Sequence, residues 1–186
     1  SWEIDEWVTV GVRGNATFRV ESGSSVELTS DATCRIGNVA SSVGELTIVD
    51  NDSVLSMNGR LIVGEAGTGS LRVAEAGRAT IGELHVAESA DGAMTIEQGG
   101  TVTAQESVVG VLAGSCGTAR VIGSNSVWHA GAATFGASGA SLVEAAGGAL
   151  VTASSLSLGV SSVLELVLDS PSVSYTHLTL PTKVTV

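Results

Sequence analysis

An apolar residue followed by glycine returns along almost the whole chain, and this recurrence narrows the possible folds more than any other feature. The pair occurs as Val10-Gly11, Ile36-Gly37, Val63-Gly64, Val109-Gly110, Phe135-Gly136 and Leu158-Gly159, with Val86-Ala87 as its variant. Successive gaps are 26, 27, 23, 23, 26 and 23 residues. A period in this range belongs to solenoids, propellers and arrays, in which each copy is one unit that cannot bury its apolar face alone.

A short alternating segment follows each pair. In Gly44-Glu-Leu46-Thr-Ile48, Gly69-Ser-Leu71-Arg-Val73, Gly92-Ala-Met94-Thr-Ile96 and Gly117-Thr-Ala119-Arg-Val121, apolar residues stand at the third and fifth places with polar or small ones between. Ala16 to Val20 and Ser162 to Leu166 fit the same frame, and Ser141 with Val143 fills the two inward places of a further copy. Alternation with period two predicts a strand with one buried face. No segment carries a sustained 3.6-residue stripe.

Eight residues after the segment start come Asp52, Gly77, Gly100, Asn125 and Gly147, with Ser24 in the first copy. Gly, Asn and Asp tolerate positive φ, so these places predict a left-handed corner in every copy. Two residues later Val26, Val54, Ala79, Val102, Val127 and Ala149 are expected to turn inward. Each repeat then holds three short strands separated by tight corners. Propeller blades need four strands and about 40–50 residues, and leucine-rich repeats need an L-x-x-L-x-L frame with an Asn ladder. The expected fold is an all-β, right-handed, single-stranded parallel β-helix of about seven rungs of 22–28 residues, about 30–35 Å long at the ~4.8 Å strand spacing. A narrow shaft lined by like residues favours Val, Leu, Ile and Ala, and is expected to accept bulky aromatics poorly. That agrees with a chain that is 44% hydrophobic but only 3% aromatic.

The last residues differ from the rest. Both prolines (Pro171, Pro181), the only Tyr (Tyr175) and the only Lys (Lys183) lie in the final sixteen positions. Residues Val173–Thr182, VSYTHLTLPT, resemble the translation of a transposase adapter from sequencing libraries. Residues 1–170 are therefore expected to form the β-helix and 171–186 a non-native or disordered tail, so that His177, Tyr175 and Lys183 carry no functional weight. The opening Ser1-Trp2-Glu3, without Met, suggests an internal fragment with two uncovered ends.

Chemistry-bearing patterns are scarce. Cys34 and Cys116 fall about three rungs apart, too far for a disulfide. His85, between Leu84 and Val86, should face outward; His129 follows Trp128 at a corner; neither has a partner at metal-ligand spacing. Asp50-Asn51-Asp52 lacks the calcium-loop pattern and is expected to be a plain corner. Neither a G-x-S-x-G elbow nor a phosphate-cradling G-x-x-x-x-G-K-[ST] occurs. Outward acids (Glu45, Glu97, Glu165) and arginines (Arg19, Arg72, Arg120) are mixed in sign and dispersed, with no Trp or Tyr platform beside them. An ice-binding rank is interrupted, since Arg72 and Arg120 stand among Thr47, Thr95, Thr101 and Thr103. With a net charge of −11, nucleic acid is an unsuitable partner. No apolar run approaches a membrane span. No catalytic, cofactor-binding or metal residue, and no cofactor, is expected.

The stretches Val63 to Val73 and Gly117 to Trp128 resemble the repeat of bacterial autotransporter and PEP-CTERM-associated passenger proteins, roughly VG-x-x-G-x-G-x-L-x-V-x-G-x-G-S-x-W. Gly123, Ser124 and Trp128 match its closing G-x-G-S-x-W in part, with Asn125 replacing one glycine, and Ser1-Trp2 fits the end of a further copy. The resemblance covers about residues 1–168. It implies export to the outer surface of a Gram-negative bacterium or release from it, a scaffold or stalk with an adhesive role, polysaccharide or protein ligands, and a membrane barrel or anchor beyond this segment. The competing classes are a carbohydrate-active β-helix enzyme and a pure spacer.

Overall fold

A strand with one apolar face and a corner at each end is stable only when an identical strand lies against it. The computed structural model, which describes residues 1–29 and 31–167, stacks the copies in that way. The first lap comprises β1 (Trp2–Ile4), β2 (Trp7–Val10) and β3 (Asn15–Val20), and the second β4 (Ser25–Leu28), β5 (Thr33–Ile36) and β6 (Val43–Ile48). Three laps follow with two longer strands each: β7 (Val54–Val63) and β8 (Thr68–Val73), β9 (Arg78–Val86) and β10 (Gly92–Glu97), β11 (Thr101–Val109) and β12 (Cys116–Ile122). The sixth lap holds β13 (Val127–His129), β14 (Ala132–Phe135) and β15 (Ala140–Ala146). The seventh holds β16 (Leu150–Thr152), β17 (Ser155–Leu158) and β18 (Ser162–Leu166). No helix occurs among the described residues.

Every strand pairing is parallel. The register follows the apolar–glycine repeat: Val10 lies beside Ile36, then Val63, Val86, Val109, Phe135 and Leu158 in turn. The last strand of each lap joins a seven-stranded sheet and the remaining strands an eleven-stranded one. The fold is a parallel β-solenoid of seven turns.

Three strands per lap are not kept throughout. In the middle laps the first two merge, so β7, β9 and β11 run through the bend that separates β1 from β2 and β13 from β14. In β7 and β9 glycine permits this close passage. A Cβ on Gly59 would lie 2.6 Å from the Asp31 carbonyl carbon, and one on Gly82 2.7 Å from that of Asn58.

The inward ranks also shift from expectation at several places. Beside Val26, Ala79 and Val102 the structure sets Leu55, Trp128 and Val151, not Val54, Val127 and Ala149. For Leu55 and Trp128 the cause is one extra residue in the preceding corner. There Ser53 and Ser126 are buried, and their hydroxyls accept the backbone N–H of Gly23 and Gly99 from the preceding lap, each at 3.1 Å. For Val151 the cause is the segment before it. Ser141 pairs with Gly117, so it occupies the glycine rank and the inward pair is Val143 and Ala145. Its hydroxyl is buried without a hydrogen-bond partner.

The corners are left-handed, but not always where glycine suggests. Asp52, Asn125 and Gly147 have φ of 68°, 66° and 67°. Ser24, Gly77 and Gly100 do not; the positive φ values lie just before them, at Ser22 and Gly23, Glu75 and Ala76, and Gln98 and Gly99. A 2.9 Å bond from the Gly77 N–H to the Ala74 carbonyl closes one such turn, and Gly100 to Glu97 another. Turn closure and stacking thus hold ordinary residues in a conformation they rarely adopt alone. Gly77 serves close approach instead: a Cβ there would stand 2.7 Å from the Ile48 carbonyl oxygen.

The size of the inward residues changes along the shaft. Laps two to four fill it with Leu28, Ile36, Leu46, Ile48, Leu55 and their neighbours. Trp128 and Phe135, which the narrow shaft was expected to resist, are both buried there, with ring centroids 5.7 Å apart and planes at 26°. The fifth and sixth laps carry Ala104, Ala119 and Ala133 in ranks that hold Ile81, Met94 and Leu84 in the fourth lap. A close-packed interior admits an indole only where neighbours give up equal volume.

Candidate functional site

Side chains that face outward meet their counterparts from the next lap, and this decides what the surface can do. On the seven-stranded sheet Thr47, Arg72, Thr95, Arg120, Glu144 and Glu165 form one rank. Arg72 bonds Glu97 at 2.7 Å and Arg120 bonds Glu144 at 2.8 Å, each across one lap, while Arg19 pairs with Glu21 on its own lap. Thr47 is buried and donates to Glu45 at 3.0 Å. The arginines interrupt the threonine rank as the spacing predicts, and Thr101 and Thr103 lie on the other sheet. Half-exposed ion pairs of this kind add little stability, and the rank ends on a like-charge pair, Glu144 directly beside Glu165.

The loops after the second strands fold over part of the outer face. Glu65 accepts from Arg35 at 3.2 Å and also from Asn38, and Glu88 lies 3.3 Å from His85 Nδ1. His85 does point outward, yet this cover leaves its side chain only 13% exposed. His129 is exposed, with Nδ1 2.7 Å from the Thr152 hydroxyl. The Asp50 carboxylate accepts the Ser22 N–H at 3.0 Å, so the acidic corner acts as a clamp between laps. Among the described residues no group of three His, Cys, Asp or Glu could hold a metal ion.

Both cysteines are free; Cys34 is buried in the shaft and Cys116 is exposed at the start of β12. Burial pushes the Cys34 thiol up to about 12 from the ordinary 9.0. In native protein a disulfide reagent at neutral pH should therefore modify one thiol per chain, with the second reacting only on unfolding. Cys116→Ser should abolish the fast phase and Cys34→Ser should leave it. Two fast-reacting thiols would contradict the burial of Cys34. Stability linked to this thiol is complete below pH 9 and declines as pH rises toward 12, because the unfolded chain ionises first.

One surface differs from the rest. Along the bend between the first and second strands runs an open groove formed by two contiguous hollows of about 420 and 410 Å³ that share Asp31 and Thr33. At its upper end stands Trp7 with Asp5, Glu6 and Arg35; further down come Asn58, Arg60 and Glu83. Trp7 is 64% exposed. Asp5 accepts from the Thr29 hydroxyl at 2.6 Å, and Arg60 is held by Glu83 at 2.6 Å. The acids of this bend, which are not among the outward charges singled out from the sequence, do have an aromatic neighbour in Trp7, and Arg19 on the seven-stranded sheet shares a hollow with Trp2. No motif could have exposed the groove. Trp7, Asp31, Asn58 and Glu83 lie on four different laps, and only stacking brings them into line.

What fold and surface define, among the described residues, is an all-parallel β-solenoid of seven turns with an aromatic-bearing groove along its first bend and a smaller hollow at Trp2 and Phe18. No family model, no curated protein and no solved structure matches the chain. The tail beyond residue 167, including the adapter-like Val173–Thr182, lies outside the described residues.

Proposed function

We propose that the chain is a non-enzymatic scaffold: the stalk of an autotransporter-like passenger, displayed on or released from the outer surface of a Gram-negative bacterium, with an adhesive role. The observation that carries the scaffold reading is the use of charge. The ion pairs Arg35–Glu65, Arg60–Glu83, Arg72–Glu97 and Arg120–Glu144 each join one lap to the next, on both sheets. Charges paired one by one along a rod have no common focus, whereas a hydrolytic or lyase centre needs them converged on one scissile bond. The passenger assignment is supported by the repeat resemblance at Val63 to Val73 and Gly117 to Trp128.

The test uses the complete coding sequence expressed in a Gram-negative host, with an epitope placed in the turn after Phe135. The epitope should be reached by antibody on intact cells or recovered from the medium. Confinement to the cytoplasm or periplasm would overturn the passenger assignment. The 186-residue chain should also release no reducing ends from a panel of neutral, amino-bearing and acidic polysaccharides; sustained release would replace the scaffold with an enzyme.

A further inference from the structure

We propose that the groove along the first bend is a glycan-binding site, taking a linear chain of neutral or amino-bearing sugars seated on Trp7. The proposal names a ligand class for the adhesive role above and rests on that role only for its biological meaning.

The two exposed N-terminal tryptophans have different origins. Trp2 pairs with Val26 in the inward rank that, five laps further along the chain, contains fully buried Trp128. Its exposure reflects an inward place without a lap above it. Trp7 instead alternates with Val8, which packs against the core, and with Val10, which belongs to it, so its indole is on the outer face. Its partner one lap down is Thr33, itself a groove residue. An aromatic face kept in water gains free energy when an apolar surface covers it.

What surrounds the indole selects the covering surface. A peptide helix or a lipid would want more apolar area than the single Ala32 beside it; the indole's own hollow offers the Asp31 carboxylate, the Thr33 hydroxyl and the Arg35 guanidinium, and the groove continues to the Asn58 amide and the Arg60 guanidinium. A pyranose ring presents both requirements at once: a C–H face for the indole and equatorial hydroxyls that donate to carboxylates and accept from guanidinium or amide N–H. The groove crosses the first four laps, about 14 Å at the ~4.8 Å strand spacing, long enough for several linked rings to lie along it.

Charge sets the class of sugar. Asp5, Glu6, Asp31 and Glu83 line the groove against Arg35 and Arg60. Both cations are engaged, Arg35 with Glu65 and Arg60 with Glu83. The local field is therefore negative, in a chain of net charge −11. Uronate or sulfated polymers are repelled, neutral sugars are accepted, and amino sugars are favoured at low ionic strength.

The full chain is titrated at about pH 6, where carboxylates are ionised, with glucosamine hexamer, cellohexaose and hexagalacturonate, followed by calorimetry and tryptophan fluorescence. The first two should bind, the glucosamine hexamer more tightly at low salt, and hexagalacturonate at least tenfold more weakly. Trp7→Ala should weaken binding tenfold or more with unchanged thermal unfolding, while Trp7→Phe keeps most of the affinity. Asp31→Asn should reduce the preference for the amine-bearing hexamer and leave cellohexaose unaffected. Equal binding by Trp7→Ala, hexagalacturonate binding as tightly as the others, or no binding of any hexamer at millimolar concentration would each overturn the site. Because these measurements use the isolated chain, they stand or fall separately from surface display.

Discussion

Replacing Gly92 with valine is expected to destabilise the solenoid by about 3–5 kcal/mol, at the upper end of what overpacking produces. Gly92 opens β10 and lies in register between Gly69 and Gly117, midway along the stack. Its φ is ordinary; what it lacks is room. A Cβ there would stand 2.9 Å from the Ala87 Cα and closer still to the Ala87 nitrogen and the Val63 carbonyl oxygen, all backbone atoms that cannot swing aside. Gly92→Ala should therefore cause most of the loss. Gly114 separates clash from strain: its φ is +89° and nothing lies within 4 Å of its would-be Cβ. Gly114→Ala should cost only about 1–2 kcal/mol, the left-handed penalty. Because solenoid stability is a sum of lap and lap–lap terms, urea unfolding of Gly92→Val should also split into two transitions. A single transition within 1 kcal/mol of the parent, with the kcal/mol scale set by the same linear extrapolation, would refute the close-packed glycine rank.

Trp128→Ala should cost about 3–5 kcal/mol. The indole is fully buried and stacked on Phe135, and the places beside it in its inward rank hold Val102 and Val151, so its loss leaves a cavity among much smaller side chains. Its Nε1–H has no hydrogen-bond partner, and an unpaired buried donor carries a penalty of about 1–3 kcal/mol. Trp128→Phe removes that donor along with one ring, so it should lose far less than Trp128→Ala. Differential scanning calorimetry of the pair checks this. The fluorescence of Trp128 should be blue-shifted and insensitive to collisional quenchers, whereas Trp2 and Trp7 should be quenched; Trp128→Phe should remove only the shielded component. A shielded signal that survived in Trp128→Phe would place the buried indole elsewhere.

The repeating parts of the architecture were legible in the residues. The spacing of Val10, Ile36, Val63, Val86, Val109, Phe135 and Leu158 gave the lap lengths, and period-two alternation in segments such as Gly69 to Val73 gave the buried face of the last strand of each lap. Local composition misled wherever a neighbouring lap overrules it. Glycine at positions 77 and 100 suggested left-handed corners, yet stacking imposes that conformation on Glu75, Ala76 and Gln98. Ser141 suggested an inward place, yet the partner strand aligns it with Gly117. One additional corner residue before Leu55 and before Trp128 moves the inward rank by a place, and nothing in the corner itself announces the change.

By itself, then, the amino-acid order determined that this chain winds: recurring turns and alternating faces act over a few residues, and parallel stacking is the one way to satisfy them all. Which outward side chains become neighbours was settled only in three dimensions. Trp7, Asp31, Asn58 and Glu83 are brought into one groove by lap length, register and the glycine-permitted bend acting together. Inward places must match their neighbours in volume and so leave a periodic trace in the sequence. Outward places are solvated and free to vary from lap to lap, so their alignment is recorded only in the stack.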